Sequence, residues 1–116
     1  MPIERLGARG GMHETVRTGN TVYISGQVAT DENGEIVGKD DIDAQIEQVY
    51  KNLDKHCRAN GGTLRNIVKT TTYISDGSYR SAIGQARAAI YGADAPTSTT
   101  VVVSFPGPNR LIEIEA

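Results

Sequence analysis

The chain has little of several things, and each shortage excludes a class of function. It holds one cysteine in 116 residues, so no internal disulfide forms and a disulfide-stapled secreted scaffold is excluded. Its two histidines, His13 and His56, are far apart in sequence, and Cys57 is the only thiol. That set has no zinc-ligand spacing, so neither a metal site nor a cofactor is expected. There is no tryptophan and one phenylalanine, and the apolar fraction of 38% is low for a self-sufficient core. Partner subunits are therefore expected to supply further burial. No apolar run is long enough for a membrane-spanning helix, and no membrane partner is expected. The formal charge is -2 and no basic stripe carries aromatics, so nucleic acid, RNA included, is not an expected partner either. The opening Met1-Pro2-Ile3-Glu4-Arg5 lacks the apolar segment of a signal peptide. With the lone thiol, this points to a cytoplasmic protein.

What is present reads as a single domain over residues 1–116. Ile3 to Leu6 predicts a short edge strand, and Gly7-Ala8-Arg9-Gly10-Gly11 a flexible loop. His13 to Arg17 and Thr21 to Ala29 alternate as strands do. Gly26 inside the second of these marks a bulge or a close approach by another backbone or a ligand. Asp31-Glu32-Asn33-Gly34 is a turn. Over Asp41 to Asn60, Ile42, Ile46, Val49, Leu53 and Cys57 recur at helical spacing and define one apolar stripe. A threonine-rich strand follows over Ile67 to Ser75, then a helix from about Tyr79 to Tyr91, stopped by Gly92. Two strands close the chain: Ala95 to Val103, rich in β-branched residues, and Leu111 to Ala116. A Pro-Gly-Pro-Asn turn joins them, which suggests a hairpin.

The order is βββαβαββ, an α+β pattern. One apolar stripe per helix places both helices on one face of a single mixed sheet. The other face would carry a mixed apolar surface, so a further subunit is expected to cover it.

The closing strand sets Glu113 and Glu115 on one face and Ile112 and Ile114 on the other. A carboxylate fixed on a strand is rigidly placed for general-base work, and Glu113 is the catalytic candidate. The competing reading is plain: charges on an edge strand that discourage aggregation. Cys57, on the helix stripe, reads as a buried inert thiol, and His56 as a boundary residue. His13 earns notice only because histidine titrates near neutral pH.

The run Pro96-Thr97-Ser98-Thr99-Thr100-Val101-Val102-Val103, the Phe105-Pro106 turn and Glu113-Ile114-Glu115-Ala116 together resemble the C-terminal signature of the RidA/YjgF family of reactive-intermediate deaminases. The resemblance spans nearly the whole chain. It implies a chorismate-mutase-like fold and a homotrimer whose sheets face an inner barrel, with a small-molecule ligand bound in clefts between subunits. It implies that Glu113 positions a water. By the same resemblance Ser98, Thr100, Gly26, Gln27, Met12 and Tyr79 fall at ligand-binding positions.

Two departures bear on activity. The family's usual Pro-Ala-Arg-Ser-x-Val has Ser98 where the arginine stands, and Gly11-Met12 replaces a Pro-Tyr pair. The arginine grips a substrate carboxylate with two parallel hydrogen bonds, and a serine hydroxyl cannot. The resemblance thus implies a hydrolytic deaminase of imines or enamines other than 2-aminoacrylate. The alternative is a non-catalytic binding or regulatory trimer. Within one chain the hairpin register would set Arg110 near Ser104, too far along the strand to stand in at Ser98.

Overall fold

The computed structural model describes residues 2–116. Its main elements are β1 (Ile3–Arg9), β2 (Met12–Thr18), β3 (Thr21–Ile24), α1 (Ile42–Ala59), β4 (Lys69–Ile74), α2 (Arg80–Tyr91), β5 (Thr97–Val102) and β6 (Ile112–Glu115). The order βββαβαββ is the one the periodicities predict. Among the described residues no helix is long and apolar enough to cross a membrane.

The strands form two three-stranded sheets, ordered β1-β2-β3 and β5-β4-β6. They are stitched together where Gln27 pairs with Ile114 and where Ile24 and Ala116 exchange backbone hydrogen bonds in both directions, at 2.7 and 3.2 Å. Between those rungs the Ile24–Gln27 side carries one residue more than the Ile114–Ala116 side. That is a β-bulge at Ser25-Gly26, and it interrupts the single sheet the sequence suggests.

Two other expectations need correcting. β1 does not stop at Leu6. It pairs with β2 as far as Arg9↔Met12, and only Gly10-Gly11, both at positive φ, make the turn. The closing strands are not a hairpin either. β4 lies between them, parallel to β5 and antiparallel to β6. Turn residues locate a reversal of the chain; they do not say which strand fills the space between its arms. β6 is consequently an interior strand, and its glutamates are not edge charges.

The core sits between the sheet and the helices. Ile46, Val49, Leu53 and Cys57 of α1 cluster with Ile24, Ile74, Ile112 and Ile114 from the strands and Ile83 and Tyr91 from α2. Ile112 and Ile114 are wholly buried, so the helix face of β6 is fixed and Glu113 is turned to the opposite face. Burying each such aliphatic side chain contributes about 1.5–3 kcal/mol. Asp41 caps α1 by accepting from the Ala44 N–H at 3.1 Å. Gln45 is fully buried; it donates to the carbonyls of Gly38 and Asn109 and accepts from the Leu111 N–H at 2.9 Å. This one amide ties the loop ahead of β6 to the helix and so fixes where β6 begins.

Candidate functional site

Glu113 stands opposite Tyr73 across the β4–β6 ladder. On its other side lies the bulge. A Cβ built at Gly26 would fall 2.6 Å from Glu113 Oε2, so the carboxylate rests directly on the glycine backbone. Tyr73 reaches past Glu113 and donates its hydroxyl to Glu115 Oε1 at 2.8 Å. That hydrogen bond, then partial burial, then the negative charges of Glu115 and Glu113 push the phenol pKa up and keep it a donor. Among the described residues Glu113 accepts no hydrogen bond. Its oxygens are left for a water or a ligand.

The bulge is held from behind by a polar cluster. Gln27 is buried and donates to Glu14 Oε2 at 2.7 Å and to the Ser25 carbonyl at 3.0 Å. Glu14 also receives Arg9 Nε and lies 3.5 Å from His56 Nε2. Burial raises the Glu14 pKa, but the bonds from Gln27 and Arg9, with the charges of Arg9 and His56, outweigh it and hold the carboxyl below its usual 4.5. Burial lowers the His56 pKa below 6.5, and the Glu14 carboxylate only partly restores it. A base whose folded pKa is depressed binds fewer protons folded than unfolded, so it adds stability above its unfolded pKa, and this is lost as pH falls. The melting temperature is therefore expected to drop between about pH 7 and pH 5 in wild type. His56→Gln should flatten that slope, as read by thermal melts across the range.

The other sequence-predicted residues are spread out. Ser98 pairs with Thr70 and Thr100 with Thr72, the face turned to the helices, where Thr70 and Thr72 are buried. Glu113 and Gly26 occupy the opposite face. Ser98 and Glu113 are two strand spacings apart and three rungs along, about 14 Å between Cα atoms. Met12 pairs with Arg9 at the other end of the sheet, four strand spacings from Ser98, or about 19 Å. Tyr79 follows β4 in a short turn and packs on the core. Arg110 precedes β6 and folds back over Gly107. It remains about 20 Å along the strand direction from Ser98, and two strand spacings across, because β4 separates the strands and Leu111 bonds to Ser75. Among the described residues no His/Cys/Asp/Glu group could hold a metal.

One chain thus brings together Glu113, Gly26 and, behind them, Gln27. It does not bring Ser98, Thr100, Met12 or Tyr79 to them. Tyr73, Glu14, Arg9 and His56 belong to the site's surroundings and were not candidates on sequence. Tyr73 could have been found from strand parity, since it lies on the outward face of a half-buried strand. The Glu14 cluster joins residues from β1, β2 and α1 and has no local signal.

The placement of Gly26 gives a direct test. Its φ is ordinary, and the group a new methyl would strike is the mobile end of a side chain. Gly26→Ala is expected to keep the melting temperature within a few degrees of wild type while displacing the carboxylate. If Glu113 acts on a ligand, turnover should fall about 10²-fold.

Comparison with known proteins bears on the family and the fold. The family model described as Endoribonuclease L-PSP matches residues 2–116. A RutC family protein from Pyrococcus horikoshii is 35% identical over 104 residues, 89% of this chain and 82% of that protein. The crystal structure of RidA from the Antarctic bacterium Psychrobacter sp. superposes with a TM-score of 0.85 at 34% identity, covering 93% of this chain and 87% of that one. YyfA from Yersinia pestis, a protein of unknown function in the Rid family, superposes with a TM-score of 0.85 at 32% identity, covering 93% and 86%. The closing strand with its inward isoleucines and outward glutamates, the Ser-Gly-Gln bulge beside it and the match over residues 2–116 make one assignment: the chain belongs to the RidA/YjgF family.

Proposed function

We propose that the protein is a hydrolytic deaminase acting on an imine or enamine-type metabolite other than 2-aminoacrylate. The observation that carries this reading is the Glu113 carboxylate, held on an interior strand against Gly26 with no hydrogen bond from a described residue. A water bound to it would lose a proton to the carboxylate as its oxygen attacks the C=N carbon. Returning that proton to nitrogen gives the carbinolamine, and a second proton passed from its hydroxyl to nitrogen through the same carboxylate breaks the C–N bond, giving a carbonyl compound and ammonia or an amine. Ser98 supplies no cation, so the substrate would lack a carboxylate at the reacting end or bind it through hydroxyls and backbone amides.

The dispersal of Ser98, Thr100, Met12 and Tyr79 supports a cleft completed by a neighbouring copy, in a homotrimer whose sheets surround an inner barrel. Tyr23, Val101 and Met12 are exposed at 60%, 37% and 40%, apolar surface that such packing would cover. A cytoplasmic location is part of this reading and fits the single thiol. The test is a panel of imines generated in situ, with ammonia release followed in the presence of purified protein. Acceleration of at least one imine is expected; none at all would end the enzymatic reading.

The serine at position 98 favours one alternative, a trimer that binds a small molecule without turning it over. In that case a ligand would raise the melting temperature while the same molecule remained unchanged after incubation.

A further inference from the structure

Two glutamates in this fold rest on glycines, and a single amide lies between them. Glu113 presses on Gly26. Glu14 does the same on β1: a Cβ built at Gly7 would fall 2.8 Å from Glu14 Cγ, so the stem of Glu14 lies across the glycine backbone. The head of Glu14 reaches α1, where His56 Nε2 stands 3.5 Å from Oε2. Arg9 Nε donates to Oε1 and Gln27 Nε2 to Oε2, so both carboxylate oxygens are in use.

Gln27 has no choice of orientation. Its bonds to Glu14 Oε2 at 2.7 Å and to the Ser25 carbonyl at 3.0 Å both leave from Nε2. A carboxylate and a carbonyl only accept. Turning the buried amide over would set its oxygen against both acceptors. The Ser25 carbonyl is thereby drawn to the Gln27 side. The Ser25-Gly26 peptide is trans, so the Gly26 N–H leaves on the opposite side, where no described residue accepts it. The backbone of Gln27 fixes the far end of the bulge, exchanging hydrogen bonds with Ile114 at 2.8 and 3.0 Å.

We propose that Glu14 is a positioning residue for Glu113: by accepting from the Gln27 amide it fixes the Ser25-Gly26 peptide, and so the place where the Glu113 carboxylate rests. Its effect on rate rests on the hydrolytic reading of Glu113; its effect on geometry rests on the bulge alone. Without an acceptor at position 14, Gln27 loses the partner that decides its orientation. The Ser25 carbonyl is then released, and the carboxylate shifts on Gly26. Glu14 reaches the site only through Gln27, so the loss falls on kcat and not on KM.

The test compares Glu14→Met, which keeps the length and removes both acceptors, with Glu14→Gln, which keeps one. In Glu14→Gln the remaining oxygen takes Gln27, and the exposed Arg9 turns to water. For the imine that wild type accelerates most, Glu14→Met is expected to lower kcat about tenfold with KM within about twofold, and Glu14→Gln to recover most of the rate. Gln27→Leu should lower kcat as far, and adding Glu14→Met to it should change kcat no further, because the two residues act in series. Ile46→Val, a core change, should lower the melting temperature without moving kcat, which separates position from stability. The carbon-13 resonance of the Glu113 carboxyl, followed by NMR on labelled full chain, should shift in Glu14→Met and return toward wild type in Glu14→Gln. That shift is read whether or not any imine is hydrolysed, so failure of the enzymatic reading and failure of this inference are told apart. If Gln27→Leu does not fold, the two Glu14 variants and the resonance decide. An unmoved Glu113 resonance in Glu14→Met overturns the proposal, as does a kcat equal to wild type or losses that add in the double variant.

Discussion

Replacing Glu113 by glutamine is expected to lower imine hydrolysis by about 10²–10⁴-fold, the range a positioned general base supplies. The substitution keeps the shape and removes the charge and basicity. Glu113 makes no described hydrogen bond, and its side chain faces away from the core that Ile112 and Ile114 occupy. The fold should therefore survive, with a melting temperature within a few degrees of wild type. Because β6 is interior, the backbone carrying residue 113 cannot fray to compensate. Parallel measurement of ammonia release and thermal melting separates the outcomes. Equal hydrolysis by Glu113→Gln would show that another group activates the water, and Tyr73, the outward neighbour, would be examined next. Gly26→Ala then reports on the same carboxylate from the other side, by moving it rather than neutralising it.

The second large effect is a gain. Ser98→Arg is expected to raise turnover of carboxylate-bearing imines by about 10² or more. A bidentate guanidinium–carboxylate pair in a desolvated cleft contributes several kcal/mol that a single hydroxyl does not. Ser98 lies exposed on an edge strand, so the longer side chain has room in one chain. Lysine at the same position should recover only part of the gain, since it offers a point charge without the planar fork. The readout is kcat/KM for paired imines with and without the carboxylate. An arginine that helps both equally, or neither, would place residue 98 outside the ligand's reach.

How much of this could be read in the sequence depends on how local each signal is. The two helices were legible because an apolar stripe repeats within a single element, as Ile46, Val49 and Leu53 do. The facing of β6 was legible because parity alone separates Ile112 and Ile114 from Glu113 and Glu115. Gly26 was legible as a special position, though what approaches it is a side chain with four elements between them in the chain. The strand partners were not legible. Nothing in Thr97–Val102 or Ile112–Glu115 states that Lys69–Ile74 inserts between them, since that choice depends on a parallel pairing across the α2 connection. The clustering of Arg9, Glu14, Gln27 and His56 is hidden for the same reason. Each residue is ordinary in its own segment, and only the tertiary fold makes them neighbours. The spread of Ser98 and Met12 to opposite ends of the sheet was invisible too, because a motif gives residue types and not the subunit they serve.

The chain keeps the carboxylate of Glu113 and carries a serine, not a guanidinium, at position 98. The measurement closest to that claim is ammonia release from 2-aminoacrylate generated in situ, run beside a carboxylate-free imine, with wild-type protein. No acceleration of 2-aminoacrylate decay, together with acceleration of the carboxylate-free imine, is the predicted result. Fast turnover of 2-aminoacrylate by the unaltered chain would contradict it.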